Sequence, residues 1–232
     1  MSKRPIILVP GFWLGSWAWD DVAGHLRDAG FDVTSLTLPG LESEDTDRSS
    51  VTFEDHVDAV AEAVQAAGEP VVLAVHSGAG GVGYAVSDRM PDLIATMVYV
   101  DSGAATGPLD PDLEGNELPF PGIEGLAEEE NLDGISEEQL AIFSARAVPE
   151  PAGAVRGGPS LTNEARLDVT TVVIATAFTS EQYKEAVEAG YAFIAGLAEL
   201  RDLKYVDLPT SHWPMWSKPK ELAEILADVA EV

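Results

Sequence analysis

The sequence predicts an α/β fold, one domain with a mostly parallel sheet flanked by helices and interrupted by an insertion. Three observations lead there. Apolar runs of strand length recur at 6–9, 71–75 and 94–100, continuous enough for strands buried on both faces. Segments with helical periodicity separate them, and parallel neighbours need such crossovers. With 232 residues, 46% of them hydrophobic, the chain can bury one sizeable core.

Each element has its own local reason. The run from Ile6 to Val9 closes on Pro10-Gly11, as a buried strand entering a loop does. "WDDVAGHLRDAG" puts Val22, Leu26 and Ala29 on one helical face and stops at Gly30, a residue suited to a left-handed terminator. "FDVTSLTLPG" alternates Val33, Ser35 and Thr37 against Thr34, Leu36 and Leu38, which makes a second strand. Thr52 and Asp55 have the spacing of a capping box, and Phe53, Val57, Val60 and Val64 share the inward face of the helix that Gly68 ends. The strand at 71–75 leads into a helix over 78–90, and the strand at 94–100 ends at Asp101. Residues 102 to about 168 form the insertion, rich in Pro, Gly and acids, with one helix starting at Ser136, where Ser136 and Gln139 again match a capping box. An interruption this long suggests a lid. "TTVVIATAF" resumes the sheet, "SEQYKEAVEAGYAFIAGLAEL" reads as helical, "LKYVDLP" as the last strand and "PKELAEILADVA" as a closing helix begun by Pro.

Composition narrows the function. A formal net charge of -27 repels nucleic-acid phosphates and anionic membranes, so neither is an expected partner. With Cys 0 there are no disulfides and no thiolate chemistry, and a nucleophile must be a hydroxyl, a carboxylate or an amine. No apolar stretch reaches the ~18 residues of a membrane span, and "MSKRPIILVP" has too short an apolar core for a signal peptide. A cytoplasmic protein is expected.

"AVHSGAGGVGYAVSDRM" supports two chemistries. Gly78, Gly80 and Gly83 have the spacing of a dinucleotide fingerprint, with Asp101 about where a ribose ligand belongs. The same stretch places Ser77 between His76 and Gly78 at a strand-to-helix junction, as a nucleophile elbow does. In a dinucleotide unit the glycines come directly off the first strand. Here His76-Ser77 intervene, two strands precede, and the net charge disfavours phosphate, so the elbow is preferred. A serine nucleophile needs a base, a carboxylate to orient it, and amides for the oxyanion. His212, in "LPTSHWPMWSKP" after the last strand, lies at the same carboxyl end of the sheet as Ser77.

Together, "ILVPGFWLGSWAWDDVAGHLRDAGFDVTSLTLPGL", "VHSGAGG" and "SHWPMWSKPKEL" resemble the α/β-hydrolase superfamily, in its hydroxynitrile lyase and plant methylesterase branch, across most of the chain outside the insertion. That resemblance implies the α/β-hydrolase fold, the order serine, acid, histidine, and an oxyanion hole from the amides of Phe12 and Gly78. It departs in places. Val75 and Ala79 stand where the elbow has small residues, and Pro10 replaces a histidine. Phe178 falls where this branch has its acid, with Glu181 nearby; other branches place the acid one strand earlier, which selects Asp101 over Glu181.

The expected function is therefore a carboxylesterase-type serine hydrolase for small, largely apolar esters, with Ser77 as nucleophile, His212 as base and Asp101 as the orienting acid. No cofactor or metal is expected. The expected partner is a small-molecule ester, and a homodimer is compatible with the sequence. Two alternatives stay open: a hydroxynitrile lyase-like base catalyst, for which the only lysine near the motif is Lys218, and a non-catalytic binder on the same fold. Trp13 and Trp213 are expected to wall the pocket, Phe120 and Phe143 to roof it or pack within the insertion, and His76 to support the elbow. His25 and His56 are assigned to the surface, and the acidic runs at 42–45 and 128–130 to solvated loops.

Overall fold

The computed structural model describes residues 3–231. The first half of the chain runs β1 (Ile6–Val9), α1 (Asp20–Asp28), β2 (Val33–Ser35), α2 (Phe53–Ala66), β3 (Val71–His76), α3 (Gly80–Arg89) and β4 (Ile94–Val100). Between β4 and the next central strand lie β5 (Glu117–Leu118), α4 (Gly122–Glu129), α5 (Glu137–Arg146), β6 (Glu150–Pro151) and α6 (Ala152–Arg156). The chain then gives β7 (Thr171–Ala175), α7 (Ser180–Glu188), β8 (Leu203–Asp207), α8 (Pro214–Ser217) and α9 (Pro219–Ala230).

Six strands form one sheet in the order β2-β1-β3-β4-β7-β8, with every pairing parallel. Because side chains alternate across a strand, each central strand feeds two cores. Ile6, Leu8, Val72, Ala74, Val98 and Val100 meet α1 and α9 through Val22, Leu26, Leu222 and Leu226. Ile7, Val9, Leu73, Val75, Met97 and Tyr99 meet α2 and α3 through Val57, Val60, Val64, Val82 and Val86. Continuous apolar strands in the sequence thus reflect helices on both faces. The chain leaves β1 toward β2 on one side and β3 on the other, and the crevice beyond the carboxyl ends at such a switch point is where ligands bind in open α/β sheets.

The caps form as their spacings imply. Thr52 and Asp55 close a reciprocal box at α2, and Ser136 and Gln139 do so at α5. The helix expected to run through residues 180–200 ends instead at Glu188. Gly190 takes φ +77, its amide reaches Val187 O, and the Tyr191 amide reaches Ala186 O, the paired bonds of a left-handed helix stop. Tyr191 and Phe193 are consequently thrown outward, 57% and 51% exposed. The insertion also holds more structure than its single expected helix, because α4 buries only Leu126 and α6 spans five residues, too little for a periodic signal.

Val75, bulky for an elbow, is accommodated by Gly83 in the first turn of α3. A Cβ on Gly83 would lie 2.8 Å from Val75 Cγ1 and 2.5 Å from Met97 Cε. Gly83→Ala is expected to cost ~1–3 kcal/mol as overpacking. Thermal melts should show a lowered Tm that Val75→Ala partly restores, and an unchanged Tm in the single variant would contradict this packing.

Candidate active site

The six residues of β3 are buried throughout, and the chain turns sharply on leaving them. Ser77 has φ +49, a left-handed conformation that costs a non-glycine residue about 1–3 kcal/mol and persists only where the surroundings enforce it. They do so by crowding. A Cβ on Gly78 would lie 2.5 Å from the Phe12 ring, and one on Gly11 would lie 2.8 Å from both His76 Nδ1 and Ser77 Cβ. On Gly80 it would strike the carbonyl of Gly103. The glycines of the motif therefore let loop, strand and helix converge on the serine. Ser102 Oγ adds a 2.5 Å hydrogen bond to the Ser77 carbonyl.

His212 arrives from the far side of the sheet. Its loop is fastened to the end of β7 by Thr176 Oγ1 donating to Ser211 O at 2.9 Å and by the Thr210 amide donating to Thr176 O. The imidazole Nε2 lies 2.8 Å from Ser77 Oγ, and Nδ1 lies 2.6 Å from Asp101 Oδ2. Asp101, at the end of β4 with φ +42, turns its other oxygen to the amides of Thr176 and Ala177, at 3.1 Å and 3.2 Å, and to Tyr183 Oη at 3.3 Å. The chain just before Phe178 thus supplies amide donors to the carboxylate on the neighbouring strand. Phe178 itself is 54% exposed, and Glu181 pairs with Lys184 on the surface.

The charges of this chain follow from its burial. Desolvation opposes ionisation of Asp101, yet the His212 hydrogen bond and charge, with the Thr176 amide, outweigh it and hold the carboxyl below its ordinary range. Burial lowers the His212 pKa, but Asp101 and then Glu130 more than offset it and leave the imidazole above 6.5. His76 is different. Full burial, with His212 beside it, pushes its pKa down to about 3, so it is neutral and its Nε2–H donates to His212 O at 2.7 Å. Strand β3 thereby supports the histidine loop as well as the serine.

The loop after β1 is held by the insertion. Trp13 takes φ +66; its amide donates to Glu150 Oε2 at 3.1 Å, its indole N–H to Leu118 O at 3.2 Å, and its carbonyl accepts the Val148 amide. These bonds set the course of the chain through Phe12. Glu150 is 2% exposed, and burial, against the Trp13 amide and the charge of Arg48, raises its pKa to about 8. The stability contributed by the neutral carboxyl is complete below pH 4.5 and is lost as pH rises through about 8. Glu150→Gln keeps an acceptor for Trp13 but cannot ionise. Denaturation series from pH 4.5 to about 8 are expected to show a smaller loss of stability with rising pH for Glu150→Gln than for the parent; parallel curves would count against a buried, neutral Glu150.

Around these groups lies a cavity of about 740 Å³, reaching Phe12, Ser77, Gly78, Asp101, His212, Trp13 and Trp213. One pair of alternatives is decided and two expectations are corrected. Phe143 and Phe120 do not face it: Phe143 is fully buried and packs on Phe120, Trp213 and Trp216, because its helix faces the C-terminal aromatic cluster. His56 is not a surface residue but 2% exposed, 2.9 Å from Pro39 O through Nε2 and 4.0 Å from Glu150 through Nδ1, since α2 turns that side toward the insertion. Glu130 is not a free loop charge. It lies half-buried 3.8 Å from His212 Nδ1, because the His212 amide bonds Asn131 O and draws residues 130–131 over the histidine. The first of these could have been read from the apolar neighbours of Phe143; the other two had no local signal.

A serine in a strained strand-to-helix turn, opposite a histidine that touches a carboxylate at the carboxyl end of a parallel sheet, defines a class of hydrolase folds. Residues 6–225 match the sequence model described as the alpha/beta hydrolase family, and the chain belongs to that family. Among curated relatives, Esterase PIR7B of Oryza sativa subsp. japonica is 39% identical over 105 residues, 43% of this chain and 38% of that protein. A carbendazim hydrolyzing esterase of a Nocardioides strain is 35% identical over 41% of this chain and 40% of its own length. The chain thus matches well under half the length of these two. Methylesterase 7 of Arabidopsis thaliana is 23% identical but is covered over 97% of its length. Among solved structures, polyneuridine aldehyde esterase superposes with a TM-score of 0.75 at 20% identity, covering 99% of this chain and 100% of that one. Tomato methylketone synthase I gives 0.78 at 18% identity, covering 99% and 98%. The neighbours fall in the methylesterase-like branch.

Proposed function

We propose that the protein is a serine esterase that cleaves small, largely apolar carboxylic esters through an acyl-enzyme. The observation that carries this reading is the unbroken chain from Ser77 Oγ to His212 Nε2 at 2.8 Å and from His212 Nδ1 to Asp101 at 2.6 Å. Ser77 Oγ attacks the ester carbonyl carbon while its proton passes to His212 Nε2. Amides of Phe12 and Gly78, both at the pocket, face the oxyanion, each such donor being worth ~3 kcal/mol. Collapse of the tetrahedral intermediate breaks the bond to the alcohol, which leaves with the His212 proton. Water then repeats the sequence on the acyl-enzyme. Asp101 keeps the Nδ1–H tautomer and stabilises the imidazolium, and the insertion serves as the pocket cover.

The esterase names of the relatives support this assignment. Lyase chemistry finds less support, because no Lys or Arg occurs among the residues lining the cavity and Lys218 is not one of them. Fluorophosphonate labelling followed by peptide mapping is expected to place the adduct on Ser77. Labelling elsewhere, or none, would refute the mechanism.

A further inference from the structure

The cavity lining combines two features that the reaction does not require. Leu109, Phe178, Tyr191 and Phe193 line it while remaining 42%, 54%, 57% and 51% exposed, and the Tyr191 and Phe193 rings lie 6.0 Å apart. These are four of the five large hydrophobic side chains exposed among the described residues, gathered at one pocket. Monomeric proteins seldom leave such a patch uncovered unless something binds there. The same lining includes Glu129 and Glu130, the last residue of α4 and its C-cap. The helix end brings its own partial negative charge to the same place. Among the lining residues there is no Lys or Arg to balance them.

These features select a substrate class. A volume of about 740 Å³ falls in the upper part of the ~300–1,000 Å³ range of drug-sized sites, and an acetyl ester would leave the aromatic rim bare. A carboxylate on the substrate would lose water against that rim and meet two like charges in the same cavity, of which the half-buried Glu130 repels by more than it would in bulk water. Glu130 is half-buried, and that burial raises its pKa.

Building on the esterase reading above, we infer that the site takes uncharged esters with an extended apolar acyl arm and excludes esters bearing a carboxylate. Phe178, Tyr191 and Phe193 seat the arm, and Glu129 with Glu130 filters charge. The same field pushes the carboxylate product out once the acyl-enzyme is hydrolysed.

A matched pair of eight-carbon substrates tests this. The value of kcat/KM for p-nitrophenyl octanoate is expected to exceed that for mono-p-nitrophenyl suberate by about 100-fold, and Glu129→Gln/Glu130→Gln is expected to narrow that ratio by about 10-fold. Comparing ratios removes any effect of Glu130 on His212. From p-nitrophenyl acetate to octanoate, kcat/KM should rise by about two- to fourfold per methylene that reaches the rim. Tyr191→Ala/Phe193→Ala should lower octanoate turnover and spare acetate. A ratio unmoved by the double Gln variant overturns the charge filter, and an equal loss on both chain lengths overturns the arm site. Calorimetry of methyl octanoate and monomethyl suberate on Ser77→Ala reads the same discrimination without turnover. A parent enzyme that cleaves neither ester while Ser77→Ala prefers methyl octanoate would refute the esterase reading alone; equal binding of the two would refute the selectivity.

Discussion

Ser77→Ala is expected to lose ester turnover on the order of 10⁵- to 10⁶-fold while still binding substrate, the loss seen when the serine of a comparable triad is removed. The reason is specific to this site. His212 Nε2 lies 2.8 Å from Ser77 Oγ, and His76, the other imidazole at the pocket, has its Nε2 engaged with His212 O. The alanine variant should also fold normally, since the strained turn is set by crowding at Gly11, Gly78 and Gly80 rather than by the hydroxyl. Removing Oγ deletes the nucleophile without loosening the elbow. Turnover of a short p-nitrophenyl ester, corrected for spontaneous hydrolysis, measures the effect. Retention of more than a hundredth of the parent rate would mean that the hydroxyl is not the attacking group.

Asp101→Asn is expected to lower kcat by about 10⁴-fold, for a reason legible in its hydrogen bonds. Oδ1 accepts the amides of Thr176 and Ala177. An asparagine must keep its oxygen on those donors, which turns its NH₂ toward His212 Nδ1. That nitrogen then has to accept, the ring proton moves to Nε2, and the imidazole can no longer take the proton of Ser77. The side chain that raised the His212 pKa against desolvation would also be neutral. Whatever activity remains should accordingly keep its acidic limb to lower pH than the parent. If Asp101→Asn costs less than tenfold while Glu130→Gln costs more, the orienting carboxylate is Glu130, which lies 3.8 Å from the same nitrogen.

Much of the fold could be read locally. Strand runs, the Thr52 and Ser136 boxes, the Gly30 stop and the closing Pro219 helix depend on residues within a few positions of each other, and the structure reproduces them. The elbow was legible for the same reason, being a strand, a turn and a helix contiguous in the chain. The α7 boundary was missed although its signal was local: Gly190 stood in the sequence, but an apolar pattern continuing beyond it masked the stop.

What depended on distance in sequence was only partly legible. The elbow motif made Ser77 the candidate nucleophile and the sequence supplied a histidine at the same sheet end, and the covering of both sheet faces followed from apolar periodicity. The resemblance selects Asp101 over Glu181, but contact with that histidine depends on strand order, which sets β4 beside β3 and lets a loop after β8 reach across β7 over 111 positions to Asp101. The buried Glu150 beneath the Trp13 loop, the half-buried Glu130 and the outward Tyr191 and Phe193 were decided in the same way. A residue's burial and charge state depend on what the whole chain packs against it, and short-range preferences carry no record of those neighbours.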